Sequence, residues 1–196
     1  QGVKMLNNKT LLKGFVLSSV MAFSQIAMAG SMQLDENMSN LSFTSIKKGT
    51  VAEAHSIPKL TGSLSDKGEL KISMFLASVE TNIPIRNTRM NRHVFDSENN
   101  PVATITANVA GKVPTSAGVA MVETEGELTL RGVTKKIMVN VMVAHTGKEL
   151  VVSSSKPVII KASDYGMEAG VIKLQELAKL PSIATAVPVT FTLVFK

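Results

Sequence analysis

Arg86, Arg89, Met90 and His93 recur at i, i+3, i+4 and i+7. That spacing lays two guanidinium groups, a thioether and an imidazole along one face of a helix. Pro84 stands where a first helical turn tolerates a residue without an N–H, so the spacing predicts a helix over 84–94. Guanidinium groups bind phosphate through paired N–H donors, and an imidazole can give one hydrogen bond to a carbonyl oxygen. The face also has a plainer use, in which Arg86 and Arg89 pair with Glu80, Asp96 or backbone carbonyls and fix the helix in place. His93 and Asp96 form an i,i+3 pair that could polarise the imidazole, but no nucleophile accompanies them. There is no G-x-S-x-G turn and no H-x-x-x-H pair, and the three histidines are too scattered for a metal site. Cysteine is absent, which removes disulfides, thiolate ligands and a thiol nucleophile. The residues point to binding, with no enzymatic activity, no metal and no cofactor.

The elements that position this face read as strands. Leu70, Ile72, Met74 and Leu76 alternate with Lys71, Ser73, Phe75 and Ala77. The same period of two runs through Ala103, Ile105, Ala107 and Val109, through Leu128 and Leu130, and through Phe191, Leu193 and Phe195. Turn chemistry separates the runs at Ser65-Asp66-Lys67-Gly68, Asn99-Asn100-Pro101, Arg131-Gly132 and Thr146-Gly147. Short strands at this spacing predict an all-β antiparallel sandwich or barrel. The stretch 137–144 is apolar on both faces apart from Asn140, which predicts a strand covered on both sides or facing a ligand on one. A second helix is expected over 170–180, with Val171, Leu174, Leu177 and Ala178 as its apolar stripe and Pro181 as its stop. His55 and His145 read as ordinary surface or strand residues.

Aromatic residues make up 4% of the chain and Trp is absent, so the core must be aliphatic. The net charge is +6, and three of the positive charges (Lys4, Lys9, Lys13) lie in the first 29 residues. The remaining balance is too mild for nucleic acid, and no RNP-like motif or basic run supports such a partner. Residues 1–29 have the layout of a signal peptide: a basic start, a short apolar run and Ala27-Met28-Ala29 as a cleavage motif. The expectation is an exported protein with a single domain over 30–196.

Three stretches together resemble the YceI-like polyisoprenoid-binding family. They are Ser78-Val79-Glu80-Thr81 with the following Arg86–Asp96 segment, then Gly126-Glu127-Leu128-Thr129-Leu130-Arg131-Gly132-Val133-Thr134-Lys135, and finally Ala162-Ser163-Asp164-Tyr165-Gly166-Met167. The resemblance spans 41–196. It departs from the family pattern at Lys161 and Ala162, where an arginine is usual, and in its aromatic-poor first strands.

The resemblance implies a lipocalin-like antiparallel β-barrel of about eight strands, with one or two short flanking helices. It implies a periplasmic carrier that holds a long isoprenoid lipid, either a polyprenyl chain or an isoprenoid quinone, in the barrel. A homodimer, and transient contact with a membrane surface through Lys135 and Lys136, are further expectations. The other reading is a non-catalytic stress-response or interaction scaffold that dimerises through the apolar strand over 137–144. For the carrier, the expected ligand contacts are Arg86, Arg89 and His93 at the head, with Met74, Phe75, Met90, Met138 and Met142 along the chain. Flexible methionines suit a long ligand of variable shape.

Overall fold

The computed structural model describes residues 30–196. The expected signal peptide lies outside the described residues. Among the described residues, eleven antiparallel strands form one sheet. They are β1 (Met32–Gln33), β2 (Asn40–Lys47), β3 (Val51–Ser56), β4 (Leu60–Leu64), β5 (Glu69–Phe75), β6 (Val102–Asn108), β7 (Gly118–Leu130), β8 (Val133–His145), β9 (Leu150–Ser154), β10 (Val158–Lys161) and β11 (Ala186–Phe195). The spatial order is β1-β4-β5-β6-β7-β8-β9-β11-β2-β3, with β10 also paired to β11. The all-β, lipocalin-like expectation holds, although the strand count exceeds eight because β1 and β10 are short pieces.

The ladder does not close strand to strand; β1 and the residues after it link β4 to the C-terminal end of β11 instead. Leu34 N–H donates to Gly62 O of β4, at 2.9 Å, while Asp35 N–H donates to Val194 O of β11, at 2.8 Å. Gln33 and Lys196 exchange a further pair of backbone hydrogen bonds. These bonds satisfy edge groups that would otherwise invite pairing with another chain.

Several of the turns place residues at positive φ. β7 and β8 meet at Arg131 (φ 50°) and Gly132 (φ 74°), a two-residue turn whose twist matches its long strands. Arg131, an uncommon residue for that conformation, is held there by its own side chain: Nη1 donates to Gly166 O at 2.7 Å and Val94 O at 3.2 Å. The hairpin is thereby clamped to the helical segments at one end of the sheet.

Those segments are α1 (Pro84–Arg89), a π-helical turn over Met90–Phe95, and α2 (Glu168–Leu177). The helix expected over 84–94 is present, but its second half carries the wider i→i+5 bonding. The wider turn moves the buried face to Met90, Val94 and Phe95. Asp96 ends it in the left-handed conformation (φ 49°) and accepts hydrogen bonds from the side chains of Asn99 and Asn100. α2 crosses this turn at Gly170, where a Cβ would lie 2.0 Å from His93 O, so only glycine allows the approach.

A candidate ligand cavity with one polar end

Strand alternation sends one set of side chains inward from every strand. Ile72 and Met74 of β5, Ala103 and Ile105 of β6, Leu128 of β7, and Val139, Val141 and Val143 of β8 face the interior. They do not fill it. A cavity of about 530 Å³ remains, lined almost wholly by apolar carbon. That volume falls within the roughly 300–1,000 Å³ of small-molecule sites. Met90, Val94 and Phe95 of the π turn, with Val171 and Leu174 of α2, also line it.

One corner of the lining breaks the apolar rule. The β2–β3 hairpin points Ser45 and Lys47, then Glu53 and His55, into the cavity wall. α1 brings Arg86 to the same corner. Glu53 Oε2 accepts from Arg86 Nη1 at 2.7 Å and from Lys47 Nζ at 2.8 Å. Arg86 Nη2 donates to Thr81 O at 2.6 Å. His55 is only 4% exposed, and its ring meets Phe43 edge-on with 5.3 Å between centroids. His55 Nε2 lies 3.0 Å from Ser45 Oγ. Two nitrogens in this corner, His55 Nδ1 and Arg86 Nε, are buried without a hydrogen-bond partner.

The corner's charges follow from these contacts. The hydrogen bond from Lys47 holds the Glu53 carboxyl below its ordinary 4.5, and Arg86 acts in the same direction. Burial pushes the His55 imidazole below its ordinary 6.5, and the nearby Arg86 cation adds to the depression. His55 is therefore neutral at pH 7, and one of its nitrogens acts as a donor while the other accepts.

Four of the eight expected ligand contacts meet in the cavity: Arg86, Arg89, Met74 and Met90. Arg89 stands near the rim, with Nη1 3.5 Å from Leu177 O. The other four lie elsewhere. His93 is off the cavity because the π turn displaces it from the face of Arg86 and Met90. Met138 and Met142 occupy the outward positions of β8 and are 53% and 44% exposed. Phe75 also points outward, with the ammonium of Lys59 5.0 Å from its ring centroid.

The stretch over 137–144 is thus lined by the cavity on one side only. Its outer side continues across β7 through Val119 and Met121, which are 69% and 68% exposed.

Lys47, Glu53 and His55 were missed by motif reasoning, which treated His55 as an ordinary strand or surface residue. A signal for them existed. Val51, Glu53, His55 and Ile57 share one parity, and alanine or serine fills the other. An inward Glu-x-His beside an apolar strand marks a polar site within a core.

The YceI-like domain family model matches residues 32–195. The chain is similar to a polyisoprenoid binding domain from Saccharophagus degradans implicated in plant cell wall breakdown. That similarity is 35% identity with a TM-score of 0.80, over 84% of this chain and 97% of that one. BcnA of Burkholderia cenocepacia shares the fold, at 21% identity and TM-score 0.65, over 82% of this chain and 98% of that one. No curated protein matches the chain.

Proposed function

Because the chain belongs to the family of YceI-like domains, we propose that it is a periplasmic, non-catalytic carrier that holds an isoprenoid lipid in its cavity. The observation that carries this reading is the 530 Å³ interior itself, which thirteen-residue β7 and β8 and their neighbours line with aliphatic side chains but leave unfilled. An apolar void too large for packing defects forfeits dispersion contacts along its whole lining unless a ligand restores them. A branched hydrocarbon chain restores them without any directed contact. At about 0.8 kcal/mol for each buried CH₂, one five-carbon isoprene unit contributes on the order of 4 kcal/mol before the costs of association. The 35%-identical relative is a polyisoprenoid binding domain, which agrees with this chemistry.

The test is a tail-length series. Isoprenoid alcohols of increasing length are titrated into the protein by calorimetry. Affinity rises with each added unit and then levels off once the cavity is full. Affinity that does not depend on tail length would overturn the reading.

A scaffold reading is favoured by a different observation, the exposed apolar outer face of Val119, Met121, Met138 and Met142. In that reading the face is the seam of a homodimer and the cavity is incidental to the role.

A further inference from the structure

The cavity reaches the surface where the helical segments meet the turn between β2 and β3. Ile83, just before α1, and Ile85 within it line the cavity and are also exposed, which places them at its mouth. A ring of contacts surrounds that mouth. Arg86 of α1 pairs with Glu53 of β3. At the β2–β3 turn, Lys48 N–H donates to Ser182 O at 3.1 Å, in the loop that follows α2. At the end of α2, Leu177 O lies 3.5 Å from Arg89 Nη1 and returns the ring to α1. The Leu177 side chain is exposed on this ring as well.

The charge around the mouth is net positive. Lys47 and Arg86 share Glu53, and Lys173 pairs with Glu176. Glu80 accepts hydrogen bonds from Asn82 N–H and Asn87 Nδ2. Among the described residues no carboxylate pairs with Lys48, Arg89 or Lys179. Two of these cations stand where the backbone disfavours them. Lys48 and Lys179 hold the left-handed conformation, with φ of 53° and 52°. Glycine or asparagine is the usual residue there, above all just after a helix, where Lys179 lies. A lysine near a helix C-terminus complements the dipole, but that does not account for Lys48 in a strand turn. What lysine adds at both positions is a charge on a long stem.

We propose that the mouth is a docking surface for an anionic phospholipid bilayer. Ile83, Ile85 and Leu177 enter the interface, and Lys48, Arg89 and Lys179 meet lipid phosphates. Buried apolar area and attraction to anionic lipid add in binding of this kind. Cargo then passes between bilayer and cavity without exposing its chain to water. The inference rests on the carrier reading and adds the route by which cargo enters.

Charge separates the mouth from the other exposed apolar surface, on β7 and β8. There Met121 adjoins a row of exposed glutamates, Glu123, Glu125 and Glu127, and Met138 faces Glu125 across the ladder. Lys136 is held by Glu125 at 2.8 Å. An anionic bilayer repels that row.

The experiment uses the protein purified from its native compartment and vesicles of phosphatidylcholine, alone or mixed with phosphatidylglycerol. Co-sedimentation measures binding. The unaltered protein binds the mixed vesicles, binds neutral ones weakly, and is released by salt. The decisive variant combines Lys48→Asn with Lys179→Asn. Asparagine tolerates both turns, so only the charges are lost, and cooperative thermal unfolding checks the fold. Binding to mixed vesicles weakens about 25-fold, at about fivefold for each cation. Uptake of an isoprenoid alcohol from those vesicles slows with it. The affinity for the same alcohol in solution is unchanged, since neither lysine lines the cavity. Lys135→Asn with Lys136→Asn, the control, leaves vesicle binding unaltered. Vesicle binding indifferent to phosphatidylglycerol, or a Lys48→Asn, Lys179→Asn protein that binds and loads like the unaltered one, overturns the docking surface. The carrier reading then stands on the solution titration. A protein that takes up no isoprenoid alcohol in solution overturns the carrier reading, and the cargo route with it.

Discussion

Gly170→Ala sets two physical effects against each other, and the structure decides between them. Gly170 lies within α2, and replacing a helical glycine with alanine ordinarily stabilises by about 1 kcal/mol. Against that, the new Cβ would lie 2.0 Å from His93 O, 2.7 Å from the His93 carbonyl carbon and 2.9 Å from Val94 Cα. All three are backbone atoms of the π turn, so no side chain can rotate away. α2 must retreat by roughly 1 Å to restore ordinary contact distances.

Overpacking of this kind costs about 1–3 kcal/mol, and a backbone clash belongs at the upper end. The net expectation is a loss of about 1–2 kcal/mol, or roughly 2–8 °C in melting temperature for a domain of this size. Thermal unfolding followed by circular dichroism measures it. Lys173→Ala on the exposed side of α2 is the control, and should stay within about 0.5 kcal/mol of the unaltered protein. Because α2 and the π turn both line the cavity, the retreat should also speed release of a bound lipid. A Gly170→Ala protein that melts at or above the unaltered temperature would show that helix propensity wins. The close seating of α2 on the π turn would then be wrong.

Further expectations follow from the same geometry. Met74→Ala, inside the cavity wall, should lower stability by about 2 kcal/mol and weaken lipid binding, whereas Met138→Ala and Met142→Ala, on the outer face, should cost under about 0.5 kcal/mol and leave binding unchanged in titration. His55 has its folded value depressed below 6.5, so the folded chain binds fewer protons than the unfolded one, and stability falls as pH drops from 6.5 through that folded value. Glu53, depressed below 4.5, contributes stability that is full above 4.5 and is lost as pH falls through its folded value. His55→Gln should remove the first slope and keep the second in urea midpoints measured across pH; parallel curves for the two proteins would contradict this. If the outer face of β7 and β8 is a dimer seam, Met121→Glu with Met142→Glu should shift sedimentation to the monomer, and an unchanged profile would remove that face from consideration.

Much of the sheet was legible because burial on one side imposes a period of two. The inward sets of β5, β6, β7 and β11 fall where alternation places them, since a one-residue slip would turn every apolar side chain to solvent. Alternation failed where both parities are apolar. In β8 the methionines looked as suited to a lipid as the valines, yet register puts Val139, Val141 and Val143 inside and Met138 and Met142 outside.

Helical spacing found Arg86, Arg89 and Met90 but carried His93 along with them, because a regular 3.6-residue period cannot anticipate a π turn. That turn reflects tertiary packing, with His93 O pressed against Gly170. The polar corner was the least legible part. Glu53 and Arg86 are 33 residues apart, and only the path of the sheet and α1 brings them to 2.7 Å. No local spacing encodes that pairing, although the inward Glu53 and His55 in β3 mark one half of it.

The central claim is that the aliphatic interior is built for an isoprenoid lipid. The most direct test is to purify the protein from its native compartment with mild handling, extract it with organic solvent and identify the extract by mass spectrometry. The expected result is one isoprenoid lipid in stoichiometric amount. An extract that stays empty, or that yields only a mixture of membrane phospholipids in trace amounts, would contradict it.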